Sequence, residues 1–405
     1  MTARTVIDRR ERQYSFVLKR AALVLLGALA GFAATPASAQ EKAPIKIGIL
    51  LPLSGPAAAV GKENQQSIEY AFSEVNNTID GHKVELLIVD DQNNPNTALT
   101  EARRLVEREK VVAVVGTLNS AVALALHPYL TQSKTLYFTG GIATDLTQAK
   151  KSETTFRSSF AAGQFEAPVA EFAVKAGMKR GILMGADYAA GRDAVKAVGT
   201  NLKELGGEVV RESFPRQGET DYTPFLSRIV DDKADFVYGY FFGGDTLRFI
   251  RSYRDLNLKF PLIITSATVS SAGLAQTLGQ SVDGIYSGEY WIWTIDTPEN
   301  KSFVDGFTKK FGNRPETIGY TGYIEGRAMV EALKKLNGDV KDSVSLAKAL
   351  KMVDYMGPAG RFRFDDSNNP IHNFYMLKWS FVDGKAIPNV VARIDNVDQF
   401  WKPKK

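Results

Sequence analysis

Two short stretches of the 405-residue sequence gather hydroxyls and glycines where an apolar run breaks. The first is Gly116-Thr-Leu-Asn-Ser120, inside "VVAVVGTLNSAVALALHPYL" (111–130). The second is Thr139-Gly-Gly-Ile-Ala-Thr144, inside "YFTGGIATDLT" (137–147). Neither contains an acid or a base, so the chemistry on offer is hydrogen bonding from hydroxyls and backbone N–H groups. Such donors suit a small anion at the start of a helix, where several N–H groups lack partners and the dipole favours negative charge. A carboxylate fits better than a polyphosphate, because the chain has neither GxGxxG nor GxxxxGK[ST] and the notch has no lysine or arginine. Taken alone, Ser120 is as well placed to cap a helix as to bind a ligand. The second junction, where Gly140 and Gly141 allow close backbone approach, makes the pair look like two sides of one small-molecule pocket.

Other chemistries find little support. His82 (in a turn before a strand), His127 and His372 share no metal-ligand spacing and read as structural. No GxSxG is present, and Ser120 has no histidine partner in view. The absence of cysteine excludes disulfides, thiolate metal sites and a cysteine nucleophile. No catalytic residue, metal or cofactor is expected.

The elements that must position these notches alternate in type. "IKIGIL" (45–50), "KVELLIV" (83–89), "VVAVVG" (111–116) and "TLYFT" (135–139) read as strands. Between them, Ile68, Ala71, Phe72 and Val75, then Leu99, Ala102, Leu105 and Val106, mark apolar helix stripes. The rhythm restarts after "TTFRSSF" (154–160). Strands follow at "GILMGA" (181–186), "GEVVRESF" (207–214), "ADFVYGYFF" (234–242) and "FPLIIT" (260–265), with helices over Val169–Ala176, Val195–Leu205 and 247–253. This is an α/β chain: two doubly wound parallel-sheet lobes with right-handed crossovers. Ligands then sit at the carboxyl ends of strands, where both notches fall. The last third holds a long helix with Ile324, Ala328, Met329, Ala332, Leu333 and Leu336 on one side, and strands at "GRFRF" (360–364) and "YMLKWSF" (375–381). These pieces are best used by adding back to the two lobes, so the chain crosses between them more than once and makes a hinge.

The first 39 residues read as a secretory leader: a basic start, the uncharged run "AALVLLGALAGFAA" (21–34) and an Ala-x-Ala ending at Ala39. The apolar run is shorter than the roughly 20 residues that span a bilayer. The formal charge is +5, and the leader accounts for +4 of it, with six positive and two negative residues. The remaining +1 gives no sign of a nucleic-acid partner. The expected compartment is a periplasm, and the 366 residues after the leader are ample for two lobes without disulfides.

The segments "IKIGILLPLSGPAAAVGKENQQSIEYAF", "VVAVVGTLNS", "GGIATDLT", "TTFRSSF", "GADYAAGRDA" and "ADFVYGYF" occur in that order. As a set, spread over the whole chain after the leader, they resemble the periplasmic leucine/isoleucine/valine-type (type I) solute-binding proteins of ABC importers. The resemblance implies two lobes joined by a three-strand hinge, residues 41–158 plus 289–372 and 159–288 plus 373–405. It also implies a ligand trapped between the lobes, a membrane permease as partner, and a monomer that does no chemistry. The ligand carboxylate would lie on Ser120 and on Gly141, Ile142 and Ala143, with Asn119 and Thr144 beside them. The other lobe would offer Tyr188 and Phe242. In the amino-acid binders an acid after the "FPLIIT"-like strand holds the ligand ammonium; here "TSATVSS" (265–271) puts Ala267 there, and Val60 stands where an aromatic stacks near the first loop. Asp187, Asp245 and Glu289 are the remaining candidates for that charge. The departures point toward an aromatic or other organic acid, with a branched-chain amino acid and a ligand-sensing module as alternatives. "EYWIWT" (289–294) is read equally as hinge packing or as a wall of an apolar pocket.

Overall fold

The computed structural model describes residues 42–403, except 231, 242, 266–268, 271, 272 and the side chain at 189. The expected leader lies outside the described residues. The first sheet is built from β1 (Lys42–Leu51), β2 (Thr78–Ile79), β3 (His82–Asp90), β4 (Ala113–Gly116), β5 (Leu136–Thr139) and β6 (Thr155–Arg157), in the order β2-β3-β1-β4-β5-β6. The pairs β1/β4, β4/β5 and β5/β6 are parallel. Successive residues alternate between two buried faces. Ile47, Ile49, Val115 and Phe138 enter one core, and Leu50, Val114 and Tyr137 the other. A sheet covered on both faces needs strands apolar at every position, which is why these strands read as unbroken apolar runs.

The second sheet comprises β7 (Arg180–Gly185), β8 (Glu208–Ser213), β9 (Phe236–Tyr240), β10 (Leu262–Thr265) and β11 (Tyr286–Glu289), parallel in the order β8-β7-β9-β10-β11. The first sheet has the same arrangement, β3-β1-β4-β5-β6. Strand order therefore reverses at β1/β4 and at β7/β9, the crevices where such sheets take ligands.

The C-terminal third adds its strands to the second sheet and packs its hairpin against the first. β12 (Asp354–Gly357) and β13 (Gly360–Phe364) form a hairpin, and Phe364 packs against Phe138 and Phe156 at 5.9 and 5.1 Å. β14 (Pro370–Val382) starts against β13 and continues antiparallel along β11. β15 (Lys385–Val397) returns along β14. The chain thus passes between the sheets after β6, after β11 and along β14. "EYWIWT" turns out to be packing at the second passage. Trp291 is fully buried, stacks on Tyr320 at 5.0 Å and donates to Asn300, while the Tyr290 hydroxyl meets Thr317 and Thr321.

The helix Thr317–Lys335 is buried around most of its circumference, beyond the expected stripe, and runs against the helix Ala58–Ser73. It carries Glu325, which is fully buried. Ser158 donates to its Oε1 at 2.8 Å, and the Asn64 amide, oriented to suit, donates to Oε2 at 3.1 Å. Burial pushes this carboxyl up from its ordinary 4.5 to about 8. His127 and His372 bond backbone carbonyls, and burial pushes His372 down to about 4.

These groups contribute to the pH dependence of stability. A raised acid holds a proton in the folded state that the unfolded chain has released, so its contribution is full below pH 4.5 and is lost as pH rises toward 8. His372 acts oppositely, losing its contribution as pH falls from 6.5 toward 4. Between pH 6.5 and 8.5 the unfolding midpoint should fall, and Glu325→Gln should make that fall shallower. Parallel curves for the two proteins in a pH series of thermal melts would assign the slope to other groups.

Candidate functional site

The notch after β4 begins with two residues in the left-handed region, Gly116 at φ +107° and Thr117 at φ +59°. For a β-branched residue this is a strained conformation, and surrounding bonds must hold it. They do: the Thr117 N–H donates to Leu50 at 2.7 Å, and its buried hydroxyl meets the hydroxyls of Tyr137 and Thr139. Thr139 in turn accepts from the Gly141 N–H at 3.1 Å. A buried polar layer thus ties the ends of β4 and β5 together.

The helix Ser120–Gln132 starts above this layer. Asn119 is its cap, accepting from the Ala121 N–H at 2.7 Å while its amide nitrogen donates to Asn93 at 2.9 Å. The capping role open to Ser120 in the sequence is therefore corrected: Ser120 is the first helical residue, and its hydroxyl turns to the second notch. Its Oγ accepts from the N–H groups of Ile142 and Ala143, each at 3.1 Å. With both lone pairs engaged, the hydroxyl proton is left to donate. Gly141 permits this proximity, since a Cβ there would lie 2.8 Å from Ala123 Cβ. Thr144 opens a short 3-10 turn, Thr144–Thr147.

Behind the loop lies a residue that the reading of the notches missed. Arg157, at the end of β6, has no exposed surface. Its guanidinium donates to the carbonyls of Gly141 and Ala143 (the latter at 2.7 Å), to Thr147 at 3.0 Å and to Asn369 at 2.8 Å. The one signal for it was a charge inside the otherwise uncharged strand "TTFRSSF".

In the second sheet Tyr188 leads into the helix Ala189–Glu204, near Tyr240 at the end of β9. Both lie at the β7/β9 reversal, and burial raises both phenols. Phe242 and Ala267 lie outside the described residues. Val60 is half-buried in the first turn of the helix Ala58–Ser73. Each of the three acids considered for a ligand ammonium is engaged. Asp187 pairs with Arg192 at 2.7 Å, and Asp245 holds Arg248 and the Gly218 N–H. Glu289 is buried, accepts from Ser270, and is pushed up to about 8 by desolvation. The structure thus gathers Asn119, Ser120, Gly141, Ile142, Ala143 and Thr144 at one sheet reversal and sets Tyr188 at the other.

Two sheets of this order, three passages between them and a donor-lined notch at a reversal point define a type I periplasmic binding protein. A family model described as periplasmic binding protein matches residues 44–386. An ABC transporter substrate-binding protein from Sphaerobacter thermophilus is similar at 35% identity and a TM-score of 0.84, covering 88% of this chain and 99% of that one. A solute-binding protein of an ABC transporter from R. palustris, in complex with 4-hydroxybenzoate, is similar at 26% identity and a TM-score of 0.79, covering 89% and 99%. A Leu/Ile/Val-binding protein homolog 6 from Brucella melitensis is 29% identical over 366 residues, 89% of this chain and 93% of that one. The chain belongs to the periplasmic binding protein family, as a substrate-binding protein of the ABC-transporter, branched-chain amino acid type.

The capping assignment can be checked directly. Asn119→Ala should lower stability by about 1 kcal/mol in denaturant unfolding, the usual effect of losing a helix cap. An unchanged midpoint would hand the capping role back to another group.

Proposed function

We propose that this protein captures a small organic carboxylate in the periplasm, aromatic acids foremost, and delivers it unchanged to the permease of an ABC importer. The lobes, 41–158 plus 289–372 and 159–288 plus 373–405, would close on the ligand by hinge motion, burying it in the monomer. The observation that carries the reading is the Ser120 hydroxyl, its lone pairs occupied by the N–H groups of Ile142 and Ala143 and its proton free for an anion. A ligand ammonium finds no such reception. Asp187 and Asp245 are taken up by arginines and burial raises the Glu289 carboxyl to about 8, and burying an ammonium without a counter-charge is costly. The R. palustris relative in complex with 4-hydroxybenzoate supports a ligand with an acid end and no amine. No residue of the notch forms a nucleophile and base, so binding without turnover is the activity proposed.

The test is a thermal-shift panel on purified protein, unfolded and refolded to strip bound ligand. Benzoate, hydroxybenzoates and phenylpropanoid acids stand beside leucine, phenylalanine and the matching amides. A ligand at about 100 times its Kd stabilises the native state by about 2.7 kcal/mol, a readily visible shift. Stabilisation by acids lacking an amine is expected, and stabilisation by amino acids alone would overturn the choice of ligand. Ser120→Ala should then weaken binding of the acid by roughly 1–3 kcal/mol in calorimetric titration. Unchanged affinity would remove Ser120 from the site.

A further inference from the structure

We infer that Arg157 sets the preference of this site for a carboxylate over the matching neutral ligand, acting through the peptide units of the loop from Gly141 to Thr144 without touching the ligand. The inference rests on the carboxylate reading above and adds to it a residue on the far side of the loop.

The geometry gives the mechanism. The Gly141 carbonyl and the Ile142 N–H belong to one peptide unit, and the Ala143 carbonyl and the Thr144 N–H to another. In a trans peptide these groups point in opposite directions. The guanidinium of Arg157 holds both carbonyls. It therefore sits at the negative ends of two dipoles whose positive ends face away from it, and one of these, the Ile142 N–H, points at Ser120 Oγ. Hydrogen bonds in series polarise one another, and inside a low-dielectric interior a charge is felt well beyond its contact shell. An anion at the notch gains from both effects, whereas a neutral amide gains only the hydrogen bonds.

A purely structural role explains this residue poorly. Every hydrogen bond of the guanidinium goes to a neutral acceptor: two carbonyls, the Thr147 hydroxyl and the Asn369 amide oxygen. Asp365 acts on it only through space, its own oxygens being taken by Ser367, Asn369 and Gln399. A buried cation without a contacting counter-charge is expensive, and a neutral amide would anchor a carbonyl without that cost. Burial pushes Arg157 down to about 9, which leaves it charged at neutral pH. A fixed positive charge behind an anion-binding loop accounts for the expense, because the ligand completes the pair.

The experiment measures acid-over-amide preference by calorimetric titration, with 4-hydroxybenzoate and 4-hydroxybenzamide as the first pair and any better acid from the thermal-shift panel, with its amide, as the second. Wild type should favour the acid. Arg157→Gln should shrink the ratio of the two affinities at least about tenfold, chiefly through the acid. Arg157→Lys, which keeps the charge but not the planar fork, should weaken acid and amide together and leave most of the ratio. An unchanged ratio in Arg157→Gln would reduce Arg157 to a structural anchor. A ratio lost in Arg157→Lys as well would assign the effect to loop geometry, and it decides the matter even if Arg157→Gln fails to fold. Wild-type protein that binds an acid and its amide equally overturns this inference alone; wild-type protein that binds no acid of the panel overturns the carboxylate reading and this inference together.

Discussion

A buried guanidinium bonded to loop carbonyls is the constraint on which the first lobe's site depends. The loop between β5 and β6 begins at the buried Gly140 and Gly141 and continues through the part-buried Ile142 and Ala143. Its carbonyls at 141 and 143 go to Arg157, at 142 to the Ala162 N–H and at 140 to the Ser159 hydroxyl. Its N–H groups at 141, 142 and 143 go to Thr139 and Ser120. A buried backbone group left unpaired costs as much as a lost hydrogen bond or more. The loop can therefore keep this shape only while Arg157, Ser120 and Thr139 are all in place. The strained Thr117 belongs to the same set, since its hydroxyl and that of Thr139 hold each other.

The three passages between the sheets are tied to one another as firmly as the loop is tied to Arg157. Gln164 in the first passage donates to the carbonyls of Pro370 and Val397 and accepts from Asn369. His372 in the third bonds the Ser159 carbonyl, and Tyr290 in the second stacks on Phe165 at 5.7 Å. Glu325 fastens Ser158 to the long helix. Packed interiors deform little, so these passages should move as one unit. The bending that closes such a protein then falls to the backbone on either side of them. The loop held by Arg157 adjoins the first passage, so a closure of the kind proposed would draw on the residues that shape the loop.

The α/β alternation, the stripes of the buried helices and the position of the notches were legible in the sequence because they follow from local periodicity. Ile47, Ile49, Val115 and Phe138 had to be apolar in a sheet covered on both faces. β15 was not legible. Most of its residues are exposed, so no apolar rhythm marks it, and only its pairing with β14 makes it a strand. Asn119 and Ser120 were both visible as polar residues at a helix start. Which one caps depends on where β5 places Ile142 and Ala143, a contact across 22 residues that no local pattern encodes. Arg157 was visible only as an anomaly, and its role needed the tertiary arrangement of Gly141, Ala143, Thr147 and Asn369.

The two reversal points are chemically unequal, and the inequality has a consequence for specificity. The first presents the Ser120 hydroxyl, held from behind by the N–H groups of Ile142 and Ala143. The second presents side chains, with Tyr188 near Tyr240, Asp187 and Asp245 paired with arginines, and the Glu289 carboxyl raised by burial. Aromatic side chains supply broad apolar contact at little entropic cost and a polar tip that reads hydroxyls. In the reading proposed above, the first lobe would recognise the acid end of the ligand and the second would choose among acids.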